Sequence, residues 1–406
     1  MSKLIAIGLK LFASLQDWGF MKILLLAPQP FYIERGTPIA VDLMLQALSK
    51  DGHEVDLLTF PSGEPKSYEN VTHYRIKSWF GITSVKAGFS PGKLILDVFL
   101  FFRMVLMLSR KRYQVVHAVE ESVFMAMILA PIFRFKYIYD MDSSMAGQLV
   151  DRLPPKLRGL GSLFEWFESL PLRFASAVVP VCDALADIAN RYRQNGVFLL
   201  KDVSLVDKET VHSGVVDVSQ ATGSQGPFFM YIGNLEPYQG IDLMIDGFAL
   251  YVKGGGDAQL VIIGGSDKHI NEYKNRCSQL GVSHSVHFLG PLPVDHLFQL
   301  MTQANVLVSP RSEGVNTPMK VYSYMDSGVP VLATNLPTHT QAMNPDNACL
   351  VEPNPESMQE GMTKLMNEPE YGAALTQRAA EYIAKEHSMT AFRQKVQSIY
   401  TYLEKL

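Results

Sequence analysis

Short apolar segments alternate with helical patterns along most of this chain, and this alternation limits the folds open to it. The first example is the apolar segment KILLLA (22–27), which is followed by the helical VDLMLQALSKDGH and by the segment EVDLLTF. Two further strand-like segments, YQVVHAV (113–119) and FKYIYDMD (135–142), enclose an apolar helical pattern. Strands that are apolar throughout are typical of parallel sheets with helices on both faces. The pattern therefore predicts an α/β fold built from βαβ units.

The alternation is interrupted once and then begins again. Between residues 200 and 226 the periodicity is lost and Ser, Thr, Asp and Gly become frequent, which predicts a domain boundary. Six more strands are predicted after it, in the segments PFFMYIGNL, QLVIIGG, VHFLG, VLVSP, VPVLAT and ACLVEP. We predict two Rossmann-like domains, at residues 21–205 and 206–385, after an N-terminal extension at residues 1–20. The final helical stretch, Pro369 to Leu406, is predicted to cross back to the first domain through residues 386–406.

Composition excludes several classes of protein. Hydrophobic residues make up 47% of the 406 residues and charged residues 19%, which is the balance of a globular chain. The three cysteines are far apart and form no Cys-x-x-Cys or Cys/His cluster, so we expect free thiols and no zinc site. No Gly-x-Gly-x-x-Gly motif is present, which argues against NAD or FAD. We expect no cofactor, no bound metal and no nucleic-acid partner.

Two segments of the first half bear on membrane contact. Residues 94–108 are apolar but contain Asp97 and Arg103 and are too short to cross a bilayer, so we interpret them as a buried or groove-facing helix. Residues 155–175 combine basic with apolar and aromatic side chains, namely Lys156, Arg158 and Arg173 with Leu163, Phe164, Trp166, Phe167 and Leu170. Such a segment fits either the headgroup layer of a membrane or an amphipathic helix that faces the domain core.

The first 20 residues leave three interpretations open. Lys3, Lys10 and Asp17 would form a narrow polar stripe on an otherwise apolar helix. The segment is then an interfacial anchor, a helix packed on the protein itself, or a dispensable extension from an upstream start assigned in error. Residues 1–200 also carry a small excess of basic side chains. We predict a cytoplasmic protein, either free or peripheral on the cytoplasmic face of the inner membrane through its N-terminal half.

The segment from Ser309 to His339 holds the strongest functional signal. Its strand VLVSP runs into a loop that carries Arg311 and Glu313, and a helical pattern then opens at Lys320. The loop itself is rich in turn-forming residues, namely Gly314, Asn316, Thr317 and Pro318. Loops between a strand end and a helix start are where α/β sheets bind phosphorylated ligands. The segment therefore predicts a diphosphate site with cationic side chains.

This segment resembles the donor-binding segment of the retaining GT4 family of glycosyltransferases, in a branch with Asn-Thr-Pro-x-Lys. With the two-domain pattern, the resemblance covers nearly all of residues 21–400. It implies the GT-B fold, in which two Rossmann-like domains face a central cleft. It also implies that Glu313 fixes hydroxyls of the transferred sugar. The position of the family's second glutamate, usually a ribose ligand, falls on Ser323.

The resemblance extends to the turn YIGNLEPYQGIDLMI. Gly233, Asn234 and Gly240 match the family pattern, but the family's phosphate-binding lysine is replaced by Gln239. A neutral amide can bond to a phosphate oxygen but cannot offset its charge. Lys320 and Arg311 are the cations expected to compensate, and Arg35 in the first domain is a third candidate.

In the first domain, the resemblance places the segment RGTP on the acceptor and phosphate side of the site. Arg35 is expected on the acceptor side, and Gly36 and Thr37 are expected near the donor. His117 matches a histidine that faces the cleft in related enzymes and contacts the sugar or the acceptor. Asp142, with Asp140, is expected either to contact acceptor hydroxyls or to cap the following helix.

The function implied by the resemblance is transfer of a sugar from a UDP- or GDP-sugar to a glycan or lipid-linked acceptor. The reaction is expected to retain anomeric configuration, to need no metal and to serve bacterial-type surface polysaccharide or glycolipid biosynthesis. Catalysis is assigned to Glu313, Lys320 and His117. Two alternatives remain open: a GT-B sugar-nucleotide epimerase, and a catalytically silent binding or scaffold subunit, the latter suggested by Gln239 and Ser323.

Overall fold

A computed structural model describes residues 19–33, 36–77, 91–152, 159, 161–208, 210, 212–314 and 316–406. The chain divides into two compact units. The first comprises Met1–Pro180, Leu185–Phe198 and Val396–Leu406, and the second comprises Val181–Ala184 and Leu199–Lys395. The second unit thus includes residues 199–205, which were predicted to belong to the first domain, and residues 386–395, which were predicted to belong to the crossing helix. Most of the predicted extension, residues 1–18, lies outside the described residues.

The first unit contains a parallel six-stranded sheet in the order β3-β2-β1-β4-β5-β6. Its strands are β1 Lys22–Ala27, β2 Glu54–Thr59, β3 Val71–Arg75, β4 Val115–Val119, β5 Lys136–Met141 and β6 Ala177–Pro180. Its helices are α1 Gly36–Lys50, α2 Pro91–Arg110, α3 Ser122–Phe133, α4 Met145–Arg152 and α5 Gly161–Phe174, followed by α6 Asp183–Asn190, which begins in the second unit. The predicted strands KILLLA, EVDLLTF, YQVVHAV and FKYIYDMD are confirmed, whereas β3 and β6 were not predicted.

The second unit has the same topology. Its parallel sheet has the order β12-β11-β10-β7-β8-β9. The strands are β7 Phe228–Ile232, β8 Gln259–Ile263, β9 Val286–Gly290, β10 Val306–Ser309, β11 Val331–Thr334 and β12 Cys349–Val351. The helices are α7 Val218–Thr222, α8 Ile241–Lys253, α9 Asp267–Leu280, α10 Leu297–Met301, α11 Lys320–Asp326, α12 Pro337–Thr340, α13 Pro355–Asn367, α14 Pro369–Glu386 and α15 Met389–Lys405, which ends in the first unit. Both sheets therefore have the doubly wound order of a Rossmann-like domain, as predicted.

Alternate residues of the second sheet enter two separate cores, one on each face. On β7, Phe229 and Tyr231 pack into one core, while Phe228 and Met230 pack into the other. All four side chains are buried, which explains why the strand is apolar throughout. The direction of winding reverses between β7 and β10, whose parallel register pairs Val306 with Phe229. This reversal leaves a crevice at the carboxyl ends of these two strands.

The predicted final helix is interrupted near Ser388. The Ser388 hydroxyl oxygen accepts a hydrogen bond from the backbone N–H of Ala391 at 3.2 Å, so it caps the start of α15. The last part of α15 packs in the first unit. There the Tyr400 hydroxyl lies 2.8 Å from His117 Nδ1, and Lys136 Nζ donates to the carbonyl of Leu403 at 2.6 Å. The return of the chain to the first unit agrees with the sequence prediction.

For each of two helices of the first unit, exposed apolar side chains exclude one of the two interpretations given to its sequence. Helix α2 is not buried on all sides, because Leu94, Val98, Phe102 and Leu106 are exposed. Helix α5 does not turn its apolar face to the core, because Trp166 and Phe167 are also exposed. Nevertheless, within the described part of the chain no helix is both long enough and apolar enough to cross a bilayer.

Candidate functional site: the crevice between β7 and β10

Two loops meet at the carboxyl ends of β7 and β10. The first leads from Gly233 to Gly240, and the second leads from Pro310 to the start of α11. The loops are joined by a hydrogen bond from the N–H of Ser312 to the carbonyl of Tyr238, at 3.1 Å. Gly240 has φ 71°, and a Cβ atom there would lie 2.0 Å from the carbonyl oxygen of Pro310. Only glycine therefore permits this close approach.

Lys320 places an ammonium group in the crevice. Its Nζ lies 3.9 Å from the ring centroid of Tyr231 and 3.4 Å from Oε1 of Gln239. Burial, and then the positive charge of Arg311, hold the pKa of Lys320 well below its usual value. Among the described residues, no carboxylate forms an ion pair with Lys320. The ammonium group is thus held by an aromatic ring and an amide, neither of which neutralises its charge.

Arg311 supplies a second cation from the other loop. Its Nε donates to the carbonyl of Glu313 at 2.8 Å, and its guanidinium lies 5.2 Å from the ring centroid of Tyr238. Burial lowers the pKa of Arg311. Within the described ranges, this side chain also has no carboxylate partner. Gly314 has φ 104° and leaves room for the guanidinium of Arg311. A Cβ atom on residue 314 would lie 2.6 Å from a guanidinium nitrogen of Arg311.

His339, which was not predicted from the sequence, is connected to the Arg311 loop by hydrogen bonds. His339 is fully buried on α12. Its Nδ1 lies 3.0 Å from the carbonyl oxygen of Thr334, so Nδ1 carries the proton, and Nε2 accepts from the Ser309 hydroxyl at 2.8 Å. The Thr334 hydroxyl in turn donates to the carbonyl of Arg311 at 2.6 Å. This network fixes the backbone beneath the guanidinium.

Acidification is expected to weaken the second unit through His339. Burial lowers the pKa of His339 to about 4, from the 6.5 expected in an unfolded chain. Below pH 6.5 the unfolded chain takes up a proton that the folded chain does not, so stability falls as the pH drops towards 4, by up to roughly 3 kcal/mol. We expect the stability difference between the wild type and His339→Gln to shrink between pH 7 and pH 5 in urea unfolding. His284 is exposed, so His284→Gln serves as the control. If the stability difference between the wild type and His339→Gln were the same at pH 7 and pH 5, His339 would not be the cause of the acid sensitivity.

The other predicted donor-side residues differ in their exposure and in their contacts. Glu313 is exposed. The carbonyl of Asn316 accepts from the Thr338 hydroxyl at 2.8 Å, and half-buried Thr317 follows in the same loop. Ser323 Oγ accepts from the N–H of Leu205 at 3.2 Å. The carbonyl of Asn234 accepts from the Tyr231 hydroxyl at 2.6 Å, beside Gly233.

The predicted residues of the first domain belong to the first unit. His117 is fully buried, and its Nε2 lies 3.0 Å from Oδ2 of Asp140 while its Nδ1 faces Tyr400. These contacts hold α15 against the sheet, so a contact of His117 with a sugar remains a prediction. Gly36 and Thr37 form the first turn of α1, and Asp142 follows β5. Arg35 lies outside the described residues.

The fold and the crevice define an α/β protein with two cationic side chains, Lys320 and Arg311, at a topological switch point. A family model described as Glycosyltransferase Family 4 matches residues 35–196, and one described as Glycosyl transferases group 1 matches residues 217–382. An uncharacterized glycosyltransferase of Methanocaldococcus jannaschii is 23% identical over 391 residues, which cover 91% of this chain and 95% of that protein.

Solved structures share the fold. Sucrose-phosphate synthase from Thermosynechococcus elongatus is similar with a TM-score of 0.73 at 17% identity, covering 95% of this chain and 99% of that one. Anabaena HepE in complex with UDP is similar with a TM-score of 0.71 at 14% identity, covering 94% of this chain and 100% of that one. The two family matches together span most of the chain, one in each half. The protein is a glycosyltransferase with the GT-B fold.

Proposed function

We propose that the protein transfers a sugar from a UDP- or GDP-sugar to a glycan or lipid-linked acceptor of surface polysaccharide or glycolipid biosynthesis. The observation that carries this proposal is the pair of cations, Lys320 and Arg311, at the carboxyl ends of β7 and β10. Neither has a carboxylate partner among the described residues. Both side chains are half-buried. Removing a charge from water without a partner is costly, so such a pair is best explained by an anionic ligand. A diphosphate has the matching charge, and the structurally similar HepE was solved with UDP.

The two cations would act mainly on the leaving group. We propose that an acceptor hydroxyl attacks the anomeric carbon on the face from which the nucleoside diphosphate departs, so that configuration is retained. The bond from the anomeric carbon to the phosphate oxygen breaks, and the departing diphosphate takes the acceptor proton. Lys320 and Arg311 would stabilise the charge that develops on the diphosphate, so no metal is required for it. Glu313 would orient the sugar hydroxyls, and Ser323 would contact the ribose.

Gln239 is compatible with activity in this arrangement. Its amide oxygen lies 3.4 Å from Lys320 Nζ and helps to position the ammonium group. A lysine at position 239 would bring a second ammonium group close to Lys320, and the two like charges would repel each other. In this proposal Lys320, which opens α11 beside Gln239, supplies the charge that the family's lysine would supply. This observation favours an active enzyme over a silent subunit.

We expect Arg311→Gln to weaken the binding of UDP or GDP by about thirtyfold. The reason is that a hydrogen bond to a charged group contributes roughly 2 kcal/mol. Isothermal titration calorimetry with both nucleotides measures the change. Arg276→Gln is the matched control, because Arg276 lies in the same unit but pairs with Asp246 at 2.5 Å. Its substitution should leave nucleotide affinity unchanged.

Two outcomes would count against the proposal. Equal affinities for wild type and Arg311→Gln would show that Arg311 does not contact the diphosphate. Nucleotide binding without hydrolysis or transfer, with any UDP- or GDP-sugar and with glycan or lipid acceptors, would indicate the silent binding subunit instead.

A further inference from the structure

Three neighbouring helices of the first unit expose a large apolar surface. Helix α3 packs against both α2 and α5, so the outward sides of the three helices are adjacent. We define the outer face by the exposed side chains of these helices, namely Leu94, Ile95, Val98, Phe102 and Leu106 on α2, Ile128 and Ile132 on α3, and Leu163, Trp166, Phe167 and Phe174 on α5. Single exposed apolar residues are ordinary, but a contiguous set of this size marks an interaction site.

The exposed side of α2 is an apolar stripe. Leu94, Val98, Phe102 and Leu106 follow one another at intervals of four residues, so they lie on one side of the helix. Phe102 is 64% exposed and Val98 is 53% exposed. A helix that only covers a sheet normally carries charged residues on that side. The outer side of α2 therefore has the composition of a buried surface.

Helix α5 is amphipathic, but its apolar side faces away from the sheet. Trp166 and Phe174 are 53% and 66% exposed. The carboxylate of Glu168, in contrast, is buried on the inner side, where it accepts hydrogen bonds from the Ser144 hydroxyl at 2.9 Å and from the N–H of Met145 at 2.6 Å. The buried carboxylate fixes the rotation of the helix. The contacts of Glu168 with Ser144 and Met145 therefore keep the aromatic side chains of α5 facing outward.

The outer face ends in a basic edge. Helices α2, α3 and α5 precede the parallel strands β4, β5 and β6, respectively. The three helices therefore run in the same direction, and each ends near the amino end of the strand that follows it. Exposed arginines stand at these three ends: Arg110 on α2, Arg134 directly after α3, and Arg173 on α5. In the described part of the chain none of the three forms an ion pair with a carboxylate. An apolar, aromatic surface beside arginines complements the acyl chains and anionic headgroups of a bilayer.

We propose that the outer face docks the protein on the surface of a bilayer that contains anionic lipids. The apolar side chains enter the boundary between headgroups and acyl chains, and Arg110, Arg134 and Arg173 contact the phosphates. This surface belongs to the first unit, whereas the proposed nucleotide site belongs to the second. Docking therefore does not depend on nucleotide binding.

Vesicle binding tests the proposal with the full chain and without any nucleotide. We expect the purified protein to sediment with vesicles of phosphatidylcholine and phosphatidylglycerol, and less with phosphatidylcholine alone. The variant Phe102→Ser/Ile132→Ser/Phe174→Ser changes one exposed side chain on each helix and should lower the partition coefficient at least about tenfold. The matched control is Leu250→Ser/Leu280→Ser, which removes exposed leucines of the second unit and should bind as the wild type does.

A second measurement reports the position of α5 directly. In the variant Trp18→Phe/Trp79→Phe, Trp166 is the remaining tryptophan of the three. Its fluorescence should be quenched by brominated acyl chains when anionic vesicles are added. The variant Leu4→Ser/Leu11→Ser, in the first 20 residues, should retain this quenching.

Three results would overturn the proposal. The first is absence of binding to anionic vesicles. The second is binding that survives in the triple variant but is lost in Leu4→Ser/Leu11→Ser, because the first 20 residues would then be the anchor. The third is a dimer in sedimentation velocity that the triple variant dissociates, with no quenching of Trp166, because the outer face would then be a contact between two copies of the chain.

Discussion

Lys320→Met should stabilise the free protein while reducing sugar transfer by roughly 10²–10³-fold. The loss of activity follows from removal of a cation that stabilises charge on the leaving diphosphate. The gain in stability follows from removal of a charge that burial and Arg311 both disfavour. Replacing such a group by an apolar side chain of similar length is expected to add about 1 kcal/mol to the free energy of unfolding. Opposite changes in stability and activity distinguish a ligand-binding lysine from one that supports the fold.

The pH dependence of this gain gives a further check. The pKa of Lys320 is lowered in the folded protein, so between that value and the usual one the unfolded chain binds more protons. Stability attributable to Lys320 therefore rises with pH in this interval. Because methionine does not titrate, its advantage in melting temperature should be larger at about pH 6 than at about pH 9.

Lys208→Met is the control for both measurements. Lys208 lies in the same unit, and its ammonium group pairs with Asp326 of α11 at 2.5 Å. Its replacement should neither raise the melting temperature nor impair transfer. Full transfer by Lys320→Met would show that the charge of the leaving group is compensated elsewhere.

The sequence was sufficient to predict most of the buried strands, although the four-residue strand β6, which is buried throughout, was missed. Strands β1 and β10 are continuous apolar runs, and both are found as predicted. Strand β3 was missed because its residues VTHYR are polar and only partly buried at the edge of the sheet. The break at Ser388 was missed for a different reason. In the sequence, Ser388 is compatible with the interior of a polar helix. In the structure, its hydroxyl accepts a hydrogen bond from the N–H of Ala391 and so caps the start of α15.

The candidate site was predictable in part for similar reasons. Arg311 and Lys320 follow a recognisable strand end, so the sequence places them at the crevice. His339 lies 30 residues from Ser309, and the two meet because β10 pairs with β11, with Ser309 opposite Ala333. The run VLAT before His339 indicates a buried strand, but the sequence does not indicate which strand lies beside it. Contacts that depend on strand order are therefore the part that required the structure.

Gly240→Ala should destabilise the second unit by roughly 3 kcal/mol or more and should also weaken nucleotide binding. Part of the cost, about 1 kcal/mol, comes from the left-handed backbone at φ 71°. The larger part comes from the added methyl group, which would lie 2.0 Å from the carbonyl oxygen of Pro310 and would force the two loops apart. Separation of the loops would break the bond between Ser312 and Tyr238 and displace Arg311. Urea unfolding and nucleotide titration measure the two effects.

Gly281→Ala isolates the contact from the backbone conformation. Gly281 follows α9 with φ 76°, nearly the same angle, but a Cβ atom there meets nothing within 4 Å. We expect this variant to lose only about 1 kcal/mol and to bind nucleotide normally. If both variants lost the same stability, the cost would arise from the backbone angle alone. The close approach of Gly240 to Pro310 would then not be what holds Arg311 in the crevice.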